Sequence, residues 1–258
     1  MQLKLLAPTK VEMQFLTLRF LKSESWSNTN NLCELLQISS RLLTGVLSPM
    51  IKEKLIKSVM QQIMGGETQL YGITNAGYIC LAEHEKSING LSALGAESKH
   101  EMLTHRISPT FVPHRLDIQM LKIRAERAGW TNWITADLGR TLITEPLREV
   151  QVGASHIEGS FRPDAWCTDL SGQRVCVECE RTMKSKIRYS QILCNYLLAL
   201  KRGEFERVIW VCPVQKLKQN LQSVITSITH VEIGSLEIVV PRNRFDQFSF
   251  MTFDEWAT

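Results

Sequence analysis

The succession of patterns between Phe161 and Cys212 narrows the fold of this chain more than anything else in it. An alternating run, Phe161–Leu170, is followed by Ser171-Gly172-Gln173 and a second alternating run, Arg174–Glu180. Two such runs joined by a short polar connector containing glycine predict a hairpin. Lys184–Leu200 then places Tyr189, Leu193, Tyr196, Leu197 and Leu200 at helical spacing. Val208-Ile209-Trp210-Val211-Cys212 is apolar throughout, as a strand buried on both faces must be. A hairpin, a crossover helix and a buried strand predict a mixed sheet with helices on its faces. A helix over 214–228 and a last strand over Leu236–Val240 complete this half. Upstream, Leu116, Met120, Ile123 and Ala128 form a helical stripe over 113–129. Gly153–Ser160, which contains His156, reads as a flexible loop.

The N-terminal part is organised differently. Val11, Phe15, Leu18 and Leu21 predict an amphipathic helix over 9–21. The polar cluster at 27–31 caps a helix over 32–36, and Ser39-Ser40 caps another over 41–47, which Ser48-Pro49 either restarts or kinks. The runs 55–64 and 68–74 flank Gly65-Gly66 and predict a second hairpin, followed by a short helix over 78–81. Three helices and then a hairpin is the order of a winged helix. Leu70-Tyr71-Gly72-Ile73-Thr74-Asn75-Ala76-Gly77 resembles the wing strand and following helix start of bacterial winged-helix domains. On that resemblance Arg41, Lys52, Lys54 and Lys57 lie on or near the recognition helix, where they can meet phosphates. The alternatives are a solvated basic face or a protein-docking module. Glu83–His105 is polar and glycine-containing, and Pro109 and Pro113 punctuate the entry to the second domain. The expected organisation is α+β: a winged helix-turn-helix over 1–82, a linker over 83–108, and an α/β domain over 109–258.

Bulk composition excludes little. The 258 residues are 44% hydrophobic, with a formal charge of +4, which is compatible with nucleic acid without demonstrating it. Seven cysteines, mostly within apolar runs, read as small buried hydrophobes of a reducing compartment. Cys176 and Cys179 form a C-x-x-C, but on a strand they point to opposite sides, and no second such pair completes a zinc site. No apolar run approaches the ~20 residues of a membrane-spanning helix, so no membrane insertion is expected and the protein reads as cytoplasmic.

Chemistry is carried by Pro163-Asp164 and by Glu178-Cys179-Glu180 with Lys184. Alternation puts Cys176, Glu178 and Glu180 on one face, and hairpin pairing brings Asp164 beside them. Clustered carboxylates are costly unless a cation neutralises them, and an oxygen-only shell suits Mg2+ or Mn2+. Such an ion lowers the pKa of a bound water and offsets charge on a phosphate. Lys184 can reach the same spot and stabilise phosphoryl charge. The bland alternative is an amphipathic edge strand with a surface lysine beside it. Lys184, Arg188, Gln191 and Asn195 line up on one helix face beside Lys186, as either a track for a DNA strand or a solvated surface. Tyr189 sits on the apolar stripe and reads as a packing residue.

Pro163-Asp164 followed by Glu178-x-Glu180 resembles the PD-(D/E)xK nuclease core, an α-β-β-β-α-β unit. The resemblance implies that Asp164 and Glu178 bind the metal with the backbone carbonyl of Cys179. Glu180 stands where lysine is usual, so Glu180 and Lys184 share the candidacy for proton chemistry. Over most of the chain, the order Pro113-His114-Arg115-Leu116, Trp133-x-x-x-Asp137, Arg162-Pro163-Asp164-Ala165, Glu178-x-Glu180, Lys184-Ser185, Arg188-Tyr189 and Val208–Val211 is similar to the replication-relaxation family and MobC-type plasmid mobilisation relaxases. That similarity implies a Mg2+- or Mn2+-dependent endonuclease that nicks plasmid DNA at a transfer origin, with an accessory mobilisation or coupling protein as a further partner. It also places His114 and Asp137 near the site, Asp137 where glutamate is expected. The rival is a non-catalytic plasmid replication or transcription protein with a degenerate nuclease fold. A restriction-type double-strand nuclease is a third reading.

Overall fold

The computed structural model describes residues 8–63, 65–89, 109–135, 163–233 and 236–256. The chain is α+β and divides into two compact units, Met1–Ile123 and Arg124–Thr258.

In the N-terminal unit, α1 (Lys10–Glu24) starts at a Thr9–Glu12 capping box, which satisfies two otherwise orphaned backbone donors. β1 (Trp26–Asn28) follows at once, and the Asn28 side chain caps α2 (Thr29–Leu36) by accepting from the Asn31 N–H at 2.9 Å. The polar cluster expected only to cap a helix thus also forms a strand. Ser39 caps α3 (Ser40–Lys52), which runs through Pro49 without interruption. Proline removes the donor to the carbonyl four residues back; that residue is Gly45, which is exposed, so water can take the place of the missing N–H. β2 (Ile56–Ile63) and β3 (Gly66–Ile73) form the expected hairpin, and β1 adds to the other edge of β3 in a three-stranded antiparallel sheet. α4 extends over Asn75–Asn89, well beyond the short helix expected. Leu18, Leu21, Leu32, Leu43, Met50, Ile56, Ile73 and Leu81 form the core between these elements.

The division between units falls inside α5 (Val112–Arg127) and not in the polar stretch 83–108. Buried polar groups account for this. Gln119, fully buried, accepts from Ser27 Oγ at 2.8 Å and Asn31 Nδ2 at 3.1 Å, and donates to the Trp26 carbonyl at 2.7 Å. One turn later Lys122 pairs at 2.7 Å with Glu24, which is itself fully buried. These contacts tie the first three turns of α5 to α1, β1 and α2.

Thr74 and Gly77 show why the 70–77 phrase has its composition. The Thr74 hydroxyl donates to the carbonyls of Lys54 (2.6 Å) and Leu55 (3.0 Å) and accepts from the Gly77 N–H (3.1 Å). This draws the start of α4 onto the end of α3, so closely that a Cβ at Gly77 would lie 2.2 Å from the Leu55 carbonyl oxygen. Helix propensity alone favours alanine there by ~1 kcal/mol. The close approach reverses the sign: Gly77→Ala should destabilise the protein by about 1–3 kcal/mol in urea unfolding.

In the C-terminal unit the strands are β4 (Thr131–Thr135), β5 (Ala165–Thr168), β6 (Arg174–Cys179) and β7 (Arg207–Cys212). α6 (Lys186–Lys201) joins β6 to β7, and α7 (Gln215–Thr226) follows. The last elements are the hairpin β8 (His230–Ile233) and β9 (Leu236–Val239), a 3-10 turn over Arg242–Gln247, and β10 (Phe248–Thr252). The mixed five-stranded sheet has the order β10-β7-β6-β5-β4. β4, β5 and β6 are antiparallel, while β6/β7 and β7/β10 are parallel. Asp169 closes the β5–β6 turn by accepting from the Ser171 and Gln173 N–H groups at 2.9 and 3.0 Å.

One expectation is corrected. Leu236–Val239 pairs with β8 in a separate two-stranded sheet, and β10 occupies the sheet edge instead. All four residues of β9 are exposed, whereas Phe248 of β10 is buried in the core. That core joins Cys176, Val208, Trp210 and Cys212 of the sheet to Tyr189, Leu193 and Tyr196 of α6 and to Leu221 and Ile225 of α7. Beyond β10, Trp256 is buried, with its ring 4.9 Å from that of Trp130 and 6.3 Å from that of Trp133.

Candidate functional site

β6 lies between β5 and β7 and is buried along most of its length, yet it ends in Glu178-Cys179-Glu180. Val175, Cys176, Val177 and Cys179 are all buried. The register Ala165↔Val177 places Asp164 opposite Glu178 one step further along the pair. Pro163, the next residue, has no N–H to offer the ladder. At this end of the pair, Asp164 Oδ2 accepts from the Cys179 N–H at 2.9 Å. The backbone of β6 therefore orients the Asp164 carboxylate.

Glu178 is held from the other side. The Tyr196 hydroxyl donates to Glu178 Oε1 in a very short contact. The Cys176 thiol, two residues back on the same face, lies 3.5 Å from the Tyr196 oxygen. Burial pushes the Glu178 carboxyl well above the usual carboxylate range, and the negative charge of Asp164 adds to the rise. The Tyr196 hydrogen bond and the nearby Lys184 ammonium oppose it. Glu178 nevertheless keeps partial contact with solvent.

Glu180 is buried, and its N–H continues the ladder by donating to the Val211 carbonyl at 2.9 Å. Lys184 Nζ engages both of its carboxylate oxygens, Oε1 at 2.6 Å and Oε2 closer still. The two residues that share the candidacy for proton chemistry are thus bound to each other. Tyr189 fixes this segment: its hydroxyl accepts from the Lys184 backbone N–H at 3.0 Å, and Lys184 Nζ lies 5.8 Å from the centre of its ring. Burial raises the pKa of both Tyr189 and Tyr196, so neither offers a phenolate nucleophile at neutral pH.

Asp164, Glu178, Glu180 and Lys184 therefore converge at one end of the sheet. Two carboxyl groups facing each other suit a cation between them. Their donor set is oxygen, which fits a hard divalent ion. Among the described residues no group of three or more His, Cys, Asp and Glu side chains is placed to hold a metal. Asp164 and Glu178 are the side chains that would hold such a cation, with the Cys179 carbonyl as the backbone candidate.

The other expected residues belong to other elements or lie outside the described residues. His114 stands at the start of α5, half-buried, in the N-terminal unit. Asp137 and His156 lie outside the described residues. Arg41 and Lys52 are exposed on α3, Lys54 follows it with a left-handed φ of 58°, and Lys57 is half-buried on β2. On α6, Lys186 reaches the Ser227 carbonyl at 3.2 Å and Arg188 pairs with Gln191 at 3.3 Å, both at exposed positions. The seven cysteines form no disulfide with one another, and burial pushes the Cys167 and Cys212 thiols up to about 12, so these two are inert. Tyr196 was legible only as part of an apolar stripe. The signal for more was its type, since a buried tyrosine hydroxyl needs a partner. No helix among the described residues is long and apolar enough to cross a membrane.

No protein-family model matches the chain, and no curated protein or solved structure matches it at a significant level.

The raised Glu178 carboxyl has a measurable sign. A carboxyl whose pKa rises on folding binds a proton as the chain folds, so stability is lost as pH climbs from the unfolded value toward the folded one. Glu178→Gln removes that dependence. Thermal melts in chelator should show the wild type losing more stability than Glu178→Gln as pH rises above the ordinary carboxylate range, and equal losses would refute the assignment.

Proposed function

We propose that the protein is a metal-dependent DNA endonuclease that nicks plasmid DNA at a transfer origin, as a mobilisation relaxase does. The observation that carries this reading is the facing pair Asp164–Glu178 at the ends of adjacent strands, with Lys184 beside it. The element order supports it. Among the described residues, β4, β5, β6, α6 and β7 come in the order expected of the PD-(D/E)xK core after its first helix, and Asp164 and Glu178 stand at the motif's sequence positions. In the N-terminal unit, α1-β1-α2-α3-β2-β3 with the sheet order β1-β3-β2 supports a winged helix. α3 is then the recognition helix, and Arg41 and Lys52 are its exposed cations.

A bound Mg2+ or Mn2+ lowers the pKa of a water and offsets charge on the phosphate. Asp164 and Glu178 would hold that ion, and the Cys179 N–H fixes the orientation of Asp164. Lys184 keeps partial solvent access and places a positive charge at the edge of the carboxylate pair, where a phosphodiester approaches. Glu180 fixes the position of that ammonium. The exposed Arg188 and Gln191 extend the polar surface along α6 and follow the strand through phosphate contacts.

The Glu180–Lys184 pairing also favours a second reading, a non-catalytic DNA-binding protein, because it withdraws the usual lysine position from the metal. Supercoiled plasmid separates the two. With Mn2+, the wild type should nick plasmid carrying its own transfer origin in preference to plasmid lacking it. Asp164→Ala and Glu178→Ala should reduce nicking by about a hundredfold or more while keeping a wild-type circular dichroism spectrum. A folded wild type that binds the origin but leaves it intact would establish the non-catalytic reading.

DNA binding by α3 has its own measure. Replacing Arg41 and Lys52 by glutamine should weaken binding and lower the slope of log affinity against log salt by about one to two. An unchanged slope would remove α3 from the interface.

A further inference from the structure

Tyr196 is fully buried in the middle of α6, where a phenylalanine would fill the same space. Its hydroxyl is placed between two side chains of one β6 face: the Cys176 thiol donates to it at 3.5 Å, and it donates in turn to Glu178 Oε1. The hydroxyl has a single proton, and that proton is committed to Glu178. The ring cannot swing away. Trp210 packs edge-on at 6.0 Å between centroids and Phe248 at 6.4 Å on another side. Tyr189 precedes it by two helical turns, packs on the same Trp210 at 5.8 Å, and uses its hydroxyl on the Lys184 backbone instead. One helix face thus carries two phenols of similar burial with different duties.

We propose that Tyr196 is the positioning residue of the metal site: its hydroxyl fixes one oxygen of Glu178 and leaves the other to serve as ligand. This rests on the metal reading of Asp164 and Glu178 given above. A glutamate side chain has three rotatable bonds, and restricting them costs conformational entropy whenever a cation is bound. A hydrogen bond from a rigid, buried partner meets that cost on folding, before the ion arrives.

Calorimetric titration of the full chain with Mn2+ tests this. Tyr196→Phe should bind Mn2+ about tenfold more weakly than wild type, the lower end of the range for an outer-shell partner. Tyr189→Phe removes a hydroxyl from the same helix that is bonded to Lys184 and not to Glu178, and should weaken Mn2+ binding less than Tyr196→Phe does. Wild-type affinity in Tyr196→Phe would overturn the positioning role while leaving the metal site standing. Equal weakening in both variants would overturn it too, since loss of any buried hydroxyl would then suffice. A wild type that does not bind Mn2+ would overturn the metal reading itself. Should Tyr196→Phe fail to fold, a ring-fluorinated tyrosine at 196 keeps shape and hydroxyl while strengthening the donor. Its Mn2+ affinity must then differ from wild type, and an identical value would overturn the role.

Discussion

A central strand that carries carboxylates sets the terms for everything around it. β6 has neighbours on both edges and buried residues along its length, so Glu180 leaves water, and Glu178 much of it, when the sheet forms. Each therefore needs a partner built in advance. Glu180 has Lys184, delivered by the segment that enters α6. Glu178 has Tyr196 from the middle of that helix, with Asp164 opposing it from β5. The crossover helix thus does two jobs at once. Its apolar stripe covers the sheet, and the polar tips on that stripe answer the charges beneath it.

The N-terminal unit solves a smaller version of the same problem with a different device. Glu24, at the end of α1, is fully buried and meets Lys122 from a helix almost a hundred residues away in sequence. Gln119 joins β1 and α2 in the same patch. Buried polar groups of this kind are retained where they fix one arrangement among several that hydrophobic contact would allow. Here they determine which part of α5 belongs with the helices and hairpin that precede it.

The legible parts of the sequence were those with an unambiguous local period. The β2–β3 hairpin around Gly65-Gly66, the β5–β6 hairpin around Gly172, α6 and β7 stand within a few residues of where pattern places them. The convergence of Asp164, Glu178, Glu180 and Lys184 was readable for the same reason, because alternation and hairpin register are geometric. Three features were not. β9 resembles a core strand in composition, but Leu236, Ile238 and Val239 are exposed and the sheet takes Phe248–Thr252 instead. Choosing between two short apolar runs depends on which one packs, and packing is non-local. The reach of α5 into the N-terminal unit is set by Gln119 and Lys122, whose polarity argues locally for the surface. The mutual pairing of Glu180 and Lys184 needed the backbone path from β6 into α6, which spacing alone does not give.

The placement of β10 has a consequence for how the protein comes into being. A ribosome delivers the chain from the N-terminus, so β6, with its acidic pair, and α6, with its phenols, emerge well before residues 248–256. Until then β7 has an open edge where β10 belongs, the core lacks Phe248, and Trp130 and Trp133 lack Trp256. The sheet end that gathers Asp164, Glu178, Glu180 and Lys184 thus shares its core with a segment made only after it.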